Sequence, residues 1–343
     1  MRTFPTRLAA FLTLGLLLQN ALGQPEPAPK PVSFPELSKA IAVTMRSNIY
    51  DPRALDTPAG RELELQVNEM AAMANEREGF IKEFNRLWSA GPFSHVRLEV
   101  AQQPVGKLAD FLDAMNVGGG GARLDWQGEV AILTVNTMMG TDTIAQITAA
   151  YREIADRKAT ALIIDLRNNE GGTFAVKPLV GHLLVTNLEA GVFLTQSWTR
   201  SNERPPSPGQ IAQIKPWRGW SLKAFWRDAQ AEGVLRVVFE PMAPRFAGRV
   251  YVLTSGRTAS AAELATDALL ASGAATLVGE KTAGKMLSQK PYDLPNGLQL
   301  YLPIADYHSA RLGRIEGAGI VPTVRVPAGQ ALARALELAR TKP

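Results

Sequence analysis

Three short apolar runs, Val130-Ala-Ile-Leu-Thr-Val135, Ala161-Leu-Ile-Ile-Asp165-Leu166 and Arg249-Val-Tyr-Val-Leu-Thr254, set the strongest constraint on what this chain can fold into. Their β-branched and aromatic content predicts strands, and the middle run, apolar until Asp165, is of the type buried on both faces of a parallel sheet. Helix-forming stretches lie between and after them: Thr141 to Arg157, with Thr141 or Asp142 as cap, Phe174 to Val185, and the Ala/Leu-rich Ala261 to Ala271. Strand and helix in alternation predict an α/β core. With 343 residues, 46% of them hydrophobic, the chain can fill one large domain or two ordinary ones.

The flanks carry different signals. Arg2 and Arg7, the apolar run Leu8 to Leu18 and the small-residue site Ala21-Leu-Gly23 have the layout of a secretory signal over residues 1–23, and the run is short for a bilayer span. Cysteine is absent, which excludes both disulfides and a lipid-modified cysteine. Export without disulfides predicts a periplasmic or secreted protein with no stable membrane span once the signal is cleaved. Residues 24–33 read as a proline-rich tether. Residues 34–117 read as a helical N-terminal domain, with periodic helices over Phe34 to Ser47, Ala59 to Ala74 and Arg77 to Trp88. Gly118 to Gly121 open a linker over 118–125, the core domain spans 126–330, and 331–343 is a C-terminal helix or tail.

Within the core, residues 197–235 break the pattern. Trp198, Trp217, Trp220 and Trp226 fall there beside Pro205-Pro206 and Pro208-Gly209, which predicts an irregular insertion. Its rings either pack to hold the insertion in place or form a lid or pocket for apolar groups. The net charge of +5 is interspersed with acidic residues and forms no basic, aromatic stripe, so nucleic acid is not an expected partner. Three dispersed histidines and no cysteine give no metal-ligand spacing, and no cofactor is expected.

Candidate chemistry gathers around Ser260. It sits between the strand-type run ending at Thr254 and the helix-type run starting at Ala261, so the free amides and positive dipole end of a helix start would face any oxyanion formed there, with Ala261 N–H as one donor. Ahead of it, Gly171-Gly172 follows Asp165-Leu166-Arg167; a glycine pair after a strand turns backbone amides toward a ligand, making Gly171 or Gly172 the second donor, while Asp165 and Arg167 brace the turn as an ion pair. Beyond it, Lys285 stands between Ala283-Gly284 and Met286-Leu287, where burial would lower its pKa and let a neutral amine accept the serine proton. Gln289 lies one helical turn further on if the segment is helical, within reach of that amine.

Taken together, Asp165-Leu-Arg-Asn-Asn-Glu-Gly-Gly172, Thr258-Ala-Ser260-Ala-Ala-Glu263 and Gly279-Glu-Lys-Thr-Ala-Gly-Lys285 with Gln289 resemble the catalytic domain of the carboxyl-terminal processing, or tail-specific, proteases. Leu294-Pro-Asn-Gly-Leu-Gln-Leu-Tyr-Leu-Pro303 and Ile315-Glu316-Gly317-Ala-Gly319-Ile320-Val-Pro322 resemble the terminal strands and closing loop of that family. The resemblance implies a crotonase-like or ClpP-like spiral of ββα units. It also implies Ser260 as nucleophile, Lys285 as general base, Gln289 as its orienter, and Gly171 or Gly172 with Ala261 as oxyanion donors. Two features depart from the family: Thr323 follows Pro322 where an aspartate is usual, and no peptide-binding PDZ domain is recognisable. A second resemblance competes, since Ser94-His95 is similar to the Ser-His element of tricorn-type proteases, which implies His95 as base with Glu316 completing a tetrad.

The expected activity is that of an exported serine endopeptidase acting on flexible or unfolded polypeptide, with cleavage near C-termini as one mode. An apolar-ligand carrier, similar to the retinoid-binding proteins of the same fold, is the alternative from another class, and a homo-oligomer is left open.

Overall fold

The computed structural model describes residues 31–341, so the expected signal over 1–23, residues 24–30 of the tether and the last two residues of the tail lie outside the described part. The N-terminal segment folds into helices Phe34–Asn48 (α1), Pro58–Met73 (α2) and Arg77–Trp88 (α3). Ser33 Oγ accepts from the Glu36 amide and Thr57 Oγ1 from the Gly60 amide, at 3.4 and 3.1 Å, filling acceptor positions that a helix start leaves open. The apolar stripes Leu37, Ile41, Met45 and Phe80, Phe84, Trp88 are buried, but they form no core of their own. Their cluster runs on into Leu298, Leu300 and Leu302 of the sheet they cover. The segment also contributes a strand to that sheet, Arg97–Val100 (β1), where the sequence expectation was wholly helical. Leu98 is buried between partly exposed Arg97 and Glu99, the period of two that a half-covered strand requires. Helix Val105–Ala114 (α4) follows.

The core begins with Ala122–Gln127 (β2), Val130–Val135 (β3), Thr141–Asp156 (α5), Ala161–Asp165 (β4) and Val176–Gly181 (α6). Gly140, not Thr141 or Asp142, occupies the cap of α5; the Asp142 carboxylate instead accepts from the Val117 and Gly119 amides, at 3.0 and 2.8 Å, and fixes the glycine linker. Helix α6 is shorter than the expected 174–185. Past its end the chain makes only a looser turn, Leu183 N–H on Val180 and Leu184 N–H on Gly181, and passing chain takes up carbonyls as well, Met242 N–H on Gly181 and Phe246 N–H on His182.

Next come Leu188–Thr195 (β5), the short helices Gln196–Thr199 (α7), Pro208–Gln213 (α8) and Leu222–Ala231 (α9), and Val234–Phe239 (β6). The insertion is therefore less irregular than its prolines suggest. Ser207 and Ser221 start α8 and α9 by accepting from Gln210 and Ala224 amides. The chain ends with Arg249–Thr254 (β7), Ala261–Ala271 (α10), Ala275–Gly279 (β8), Leu287–Leu294 (β9), Leu298–Ser309 (β10), Gly313–Arg314 (β11), Val324–Arg325 (β12) and Ala331–Arg340 (α11).

These strands make two six-stranded sheets in an α/β architecture. The first runs β12-β8-β7-β4-β3-β2, parallel except for β2 at its edge. The second, β1-β10-β5-β6 with β9 and β11 also on β10, is antiparallel throughout. The apolar run of β4 is explained by cover on both faces: Ala161 and Ile163 pack under Ala335 and Leu336 of α11, while Leu162 and Ile164 join Tyr151 of α5 and Leu269 of α10 in the central core. At the carboxyl ends of β4 and β7, where such a sheet presents its ligands, the chain forms its candidate site.

Candidate active site

Strand β7 ends at Thr254 and α10 starts at Ala261, which puts Ser260 on the turn between them. Its backbone is held at φ 55°, ψ −124°, outside the ordinary range of an L-residue, so the surroundings must impose the conformation. They do so from several sides. Ser255 Oγ donates to the Arg167 carbonyl at 2.5 Å, Thr258 Oγ1 to the Leu166 carbonyl at 2.9 Å, and Ala259 N–H to the Asn169 carbonyl at 3.0 Å, tying the turn to the end of β4. Glu263, fully buried one turn into α10, accepts from the Ser260 amide at 3.2 Å. The same carboxylate accepts from Thr282 Oγ1 and from the Gly284 and Lys285 amides, at 2.5, 2.8 and 2.8 Å. Sequence reading placed Glu263 in the nucleophile motif without a task; its position at the third residue of a helix start is the signal that identifies such a cap.

The glycine pair separates into two jobs. Gly171 has φ 102°, and a Cβ there would stand 2.6 Å from Ser260 Cβ, so only glycine lets this strand end pass the nucleophile. Its amide donates to Asn169 Oδ1 at 2.9 Å and is thereby occupied. Asn169 is itself buried and anchored through Nδ2 to the Val135 carbonyl at 3.0 Å, a positioning role that sequence reading missed. Gly172, with φ 137°, borders one cavity together with Ser260 and Ala261. Of the two glycines, Gly172 is the one whose backbone faces the nucleophile's cavity. Asp165 and Arg167 form the expected ion pair at 2.6 Å, and Arg167 reaches on to the Ala328 carbonyl.

The two candidate bases are placed differently. Lys285 is exposed, not buried, and is not among the residues that border the Ser260 cavity. Gln289 does not follow it on a helix: it lies on β9, and its carboxamide oxygen accepts from Arg97 Nη1 at 2.6 Å. The glutamine is thus committed to a guanidinium. His95 does border the Ser260 cavity. Among the described residues it is one of four non-glycine residues with positive φ, at 68°, a second strained position beside Ser260 itself.

A chain of hydrogen bonds runs behind His95. Its Nδ1 lies 2.5 Å from Ser94 Oγ, and Ser94 Oγ donates to Glu316 Oε1 at 2.6 Å. A hydroxyl has one proton; with that proton on Glu316, Ser94 accepts from Nδ1–H, which leaves the lone pair of the neutral ring on Nε2. Glu316 is fixed in turn by the Met286 and Leu287 amides on Oε2, at 2.5 and 3.2 Å. Burial holds the His95 pKa below its ordinary range, Glu316 draws it back in part, and the positive charges of Arg97 and Lys285 push it down again.

Known proteins resemble this chain in sequence and in fold. A carboxyl-terminal-processing protease of Picosynechococcus sp. is 27% identical over 54% of this chain and 36% of its own length. This chain thus spans little more than a third of that relative. Among solved structures, a protein from Parabacteroides merdae superposes with a TM-score of 0.64 at 14% identity, over 92% of this chain and 98% of the other. The photosystem II D1 C-terminal processing protease superposes with a TM-score of 0.56 at 14% identity, over 89% and 97%. Likeness at this identity establishes the fold and leaves the choice of base to the residues of this chain. Residues 129–326, which carry β3 through β12 and the turn that holds Ser260 but not the His95 loop, β1 or α4, match the family described as peptidase family S41, and the chain belongs to that family.

Proposed function

We propose that this protein is an exported serine endopeptidase acting on flexible polypeptide, with Ser260 as nucleophile and His95, oriented by Ser94 and Glu316, as general base. One observation carries the choice of base: His95 shares a cavity with Ser260 while Lys285 is exposed outside it. In this reading Ser260 Oγ attacks the scissile carbonyl as its proton passes to His95 Nε2. The Gly172 and Ala261 amides hold the oxyanion, and the imidazolium returns the proton to the leaving amine. A water then repeats the sequence on the acyl-enzyme and releases the acid. Lys285 assists only by its charge, which favours a neutral ring in the resting state. Export rests on the pattern of residues 1–23, and cleavage near C-termini on the relatives' names.

The test is a set of single variants assayed on casein and on a fluorophosphonate probe, with folding verified by circular dichroism. Ser260→Ala loses both readouts; His95→Ala lowers kcat by roughly 10⁴-fold or more; Lys285→Ala stays within about tenfold of wild type. An inactive Lys285→Ala beside an active His95→Ala returns the base to Lys285. Retention of apolar ligands by a protein that neither cleaves nor labels supports the carrier reading.

A further inference from the structure

The cavity that holds Ser260 continues into an aromatic chamber whose walls the mechanism does not use. Its volume is about 430 Å³, within the range of ligand pockets and far above the voids left in a packed core. Trp217, Trp220 and Phe225 from the insertion meet Phe174 from the turn after the glycine pair, with ring centroids 5.6 to 6.0 Å apart. Leu108 and Leu112 of α4 also border it. Helix α4 is tied across to α9: the Asp113 carboxylate accepts from the Leu222 and Lys223 amides, at 2.6 and 3.0 Å, and Lys223 Nζ pairs with Asp110 at 2.7 Å. Trp198, expected in the same group, packs on β5 and β6 beside Val192 and Val234 instead.

Two of the three indole donors that border the chamber are already spent. Trp217 Nε1–H donates to Asp228 Oδ2 at 2.9 Å, and Trp226 Nε1–H to the Gln289 carbonyl at 3.0 Å, so both indoles offer an occupant apolar surface and no donor. The charged side chains that reach the cavity are also engaged, Glu170 with Arg257 at 2.9 Å and Arg97 with Glu99 and Gln289. A polar side chain entering here would lose its water against a wall that is mostly ring and aliphatic surface. An aromatic or large aliphatic one would gain ring contacts on several sides.

Resting on the peptidase reading above, we propose that this chamber is the specificity pocket for the substrate side chain next to the scissile bond, and that it selects large apolar residues, Phe, Leu, Met and Trp, over small or charged ones. Each missing methylene in such a pocket costs about tenfold or more in kcat/KM, so a Phe-flanked substrate should exceed its Ala-flanked counterpart by about 100-fold or more.

Two measurements on the full-length protein decide it. Mass spectrometry of casein digests maps the residues flanking each cleavage, and a matched pair of fluorogenic peptides, differing only in Phe or Ala at the flanking position, gives the ratio of kcat/KM values. Cleavage at large apolar residues, with the Phe/Ala ratio falling about tenfold or more in Trp220→Ala and in Phe174→Ala, supports the pocket. Cleavage at glycine, alanine or charged residues by a protein whose Ser260 reacts with fluorophosphonate overturns the pocket and leaves the peptidase reading intact. So does an unchanged Phe/Ala ratio in both variants. A Ser260 that neither labels nor cleaves overturns the peptidase reading, and the pocket with it.

Discussion

His95 carries a titration that the rest of the site makes legible. Because burial lowers its pKa and the protonated ring is not a base, kcat/KM should fall on acidification, with a midpoint below the ordinary histidine value of 6.5. A pH profile of peptide cleavage checks this, and a midpoint above that value counts against His95. Gly171 makes a steric claim of similar sharpness. With φ 102° and Ser260 Cβ 2.6 Å from where its own Cβ would stand, Gly171→Ala should cost about 100-fold or more in kcat while the protein stays folded. Gly256, where a methyl would meet nothing within 4 Å, is the matched control and should tolerate alanine. Part of this was legible in the residues themselves. Ser260 and the glycine pair announce themselves as candidates, because a serine between a strand and a helix, and glycines after a strand, are local signals. The chain of groups behind His95 does not, since Ser94 and Glu316 stand 222 residues apart in sequence and meet only once the sheets are packed. A lysine flanked by apolar residues looks buried in sequence and is exposed in the fold.

Among the elements, α10 ties the turn after β7 in one sheet to β10 in the other. Its first turn holds Ser260 through Glu263, and its middle sends Asp267 to β10, where the carboxylate accepts from Tyr307 and Ser309 hydroxyls at 2.9 and 2.8 Å. Burial raises the pKa of Asp267, and the two hydroxyls lower it only in part. A carboxyl with a raised folded-state pKa contributes its full stability below its unfolded value of 3.8 and loses it as pH rises through the folded value. Asp267→Asn does not titrate, so thermal melts at about pH 5 and about pH 8 should show its Tm gaining on wild type at the higher pH. A gain at the lower pH would contradict the assignment. Strands proved easier to read than the connections: β3, β4 and β7 declare themselves by apolar runs with cover on both faces, whereas β9 carries too little alternation to separate it from a helix, and Gln289 was misplaced with it. Local pattern records which faces are dry; it does not record what a neighbouring strand will offer as a partner.

At the scale of the whole molecule, the helical N-terminal segment is part of the body it covers. Phe84 is fully buried in a cluster that includes Leu300 and Leu302 of β10, so Phe84→Ala should cost about 3–5 kcal/mol, and the loss should fall on the entire chain. Urea unfolding followed both by circular dichroism and by labelling of Ser260 should give coincident transitions, shifted together; two separated transitions would make the segment an independent domain. The same arrangement bears on the proposed catalysis. Histidine enters from the loop ahead of β1 in one sheet, and serine from the turn after β7 in the other. Neither layer owns a complete reaction centre. If His95 and Ser260 act together as proposed, turnover gauges how squarely the two layers are seated on each other, and a slip too small to register as unfolding would be enough to abolish it.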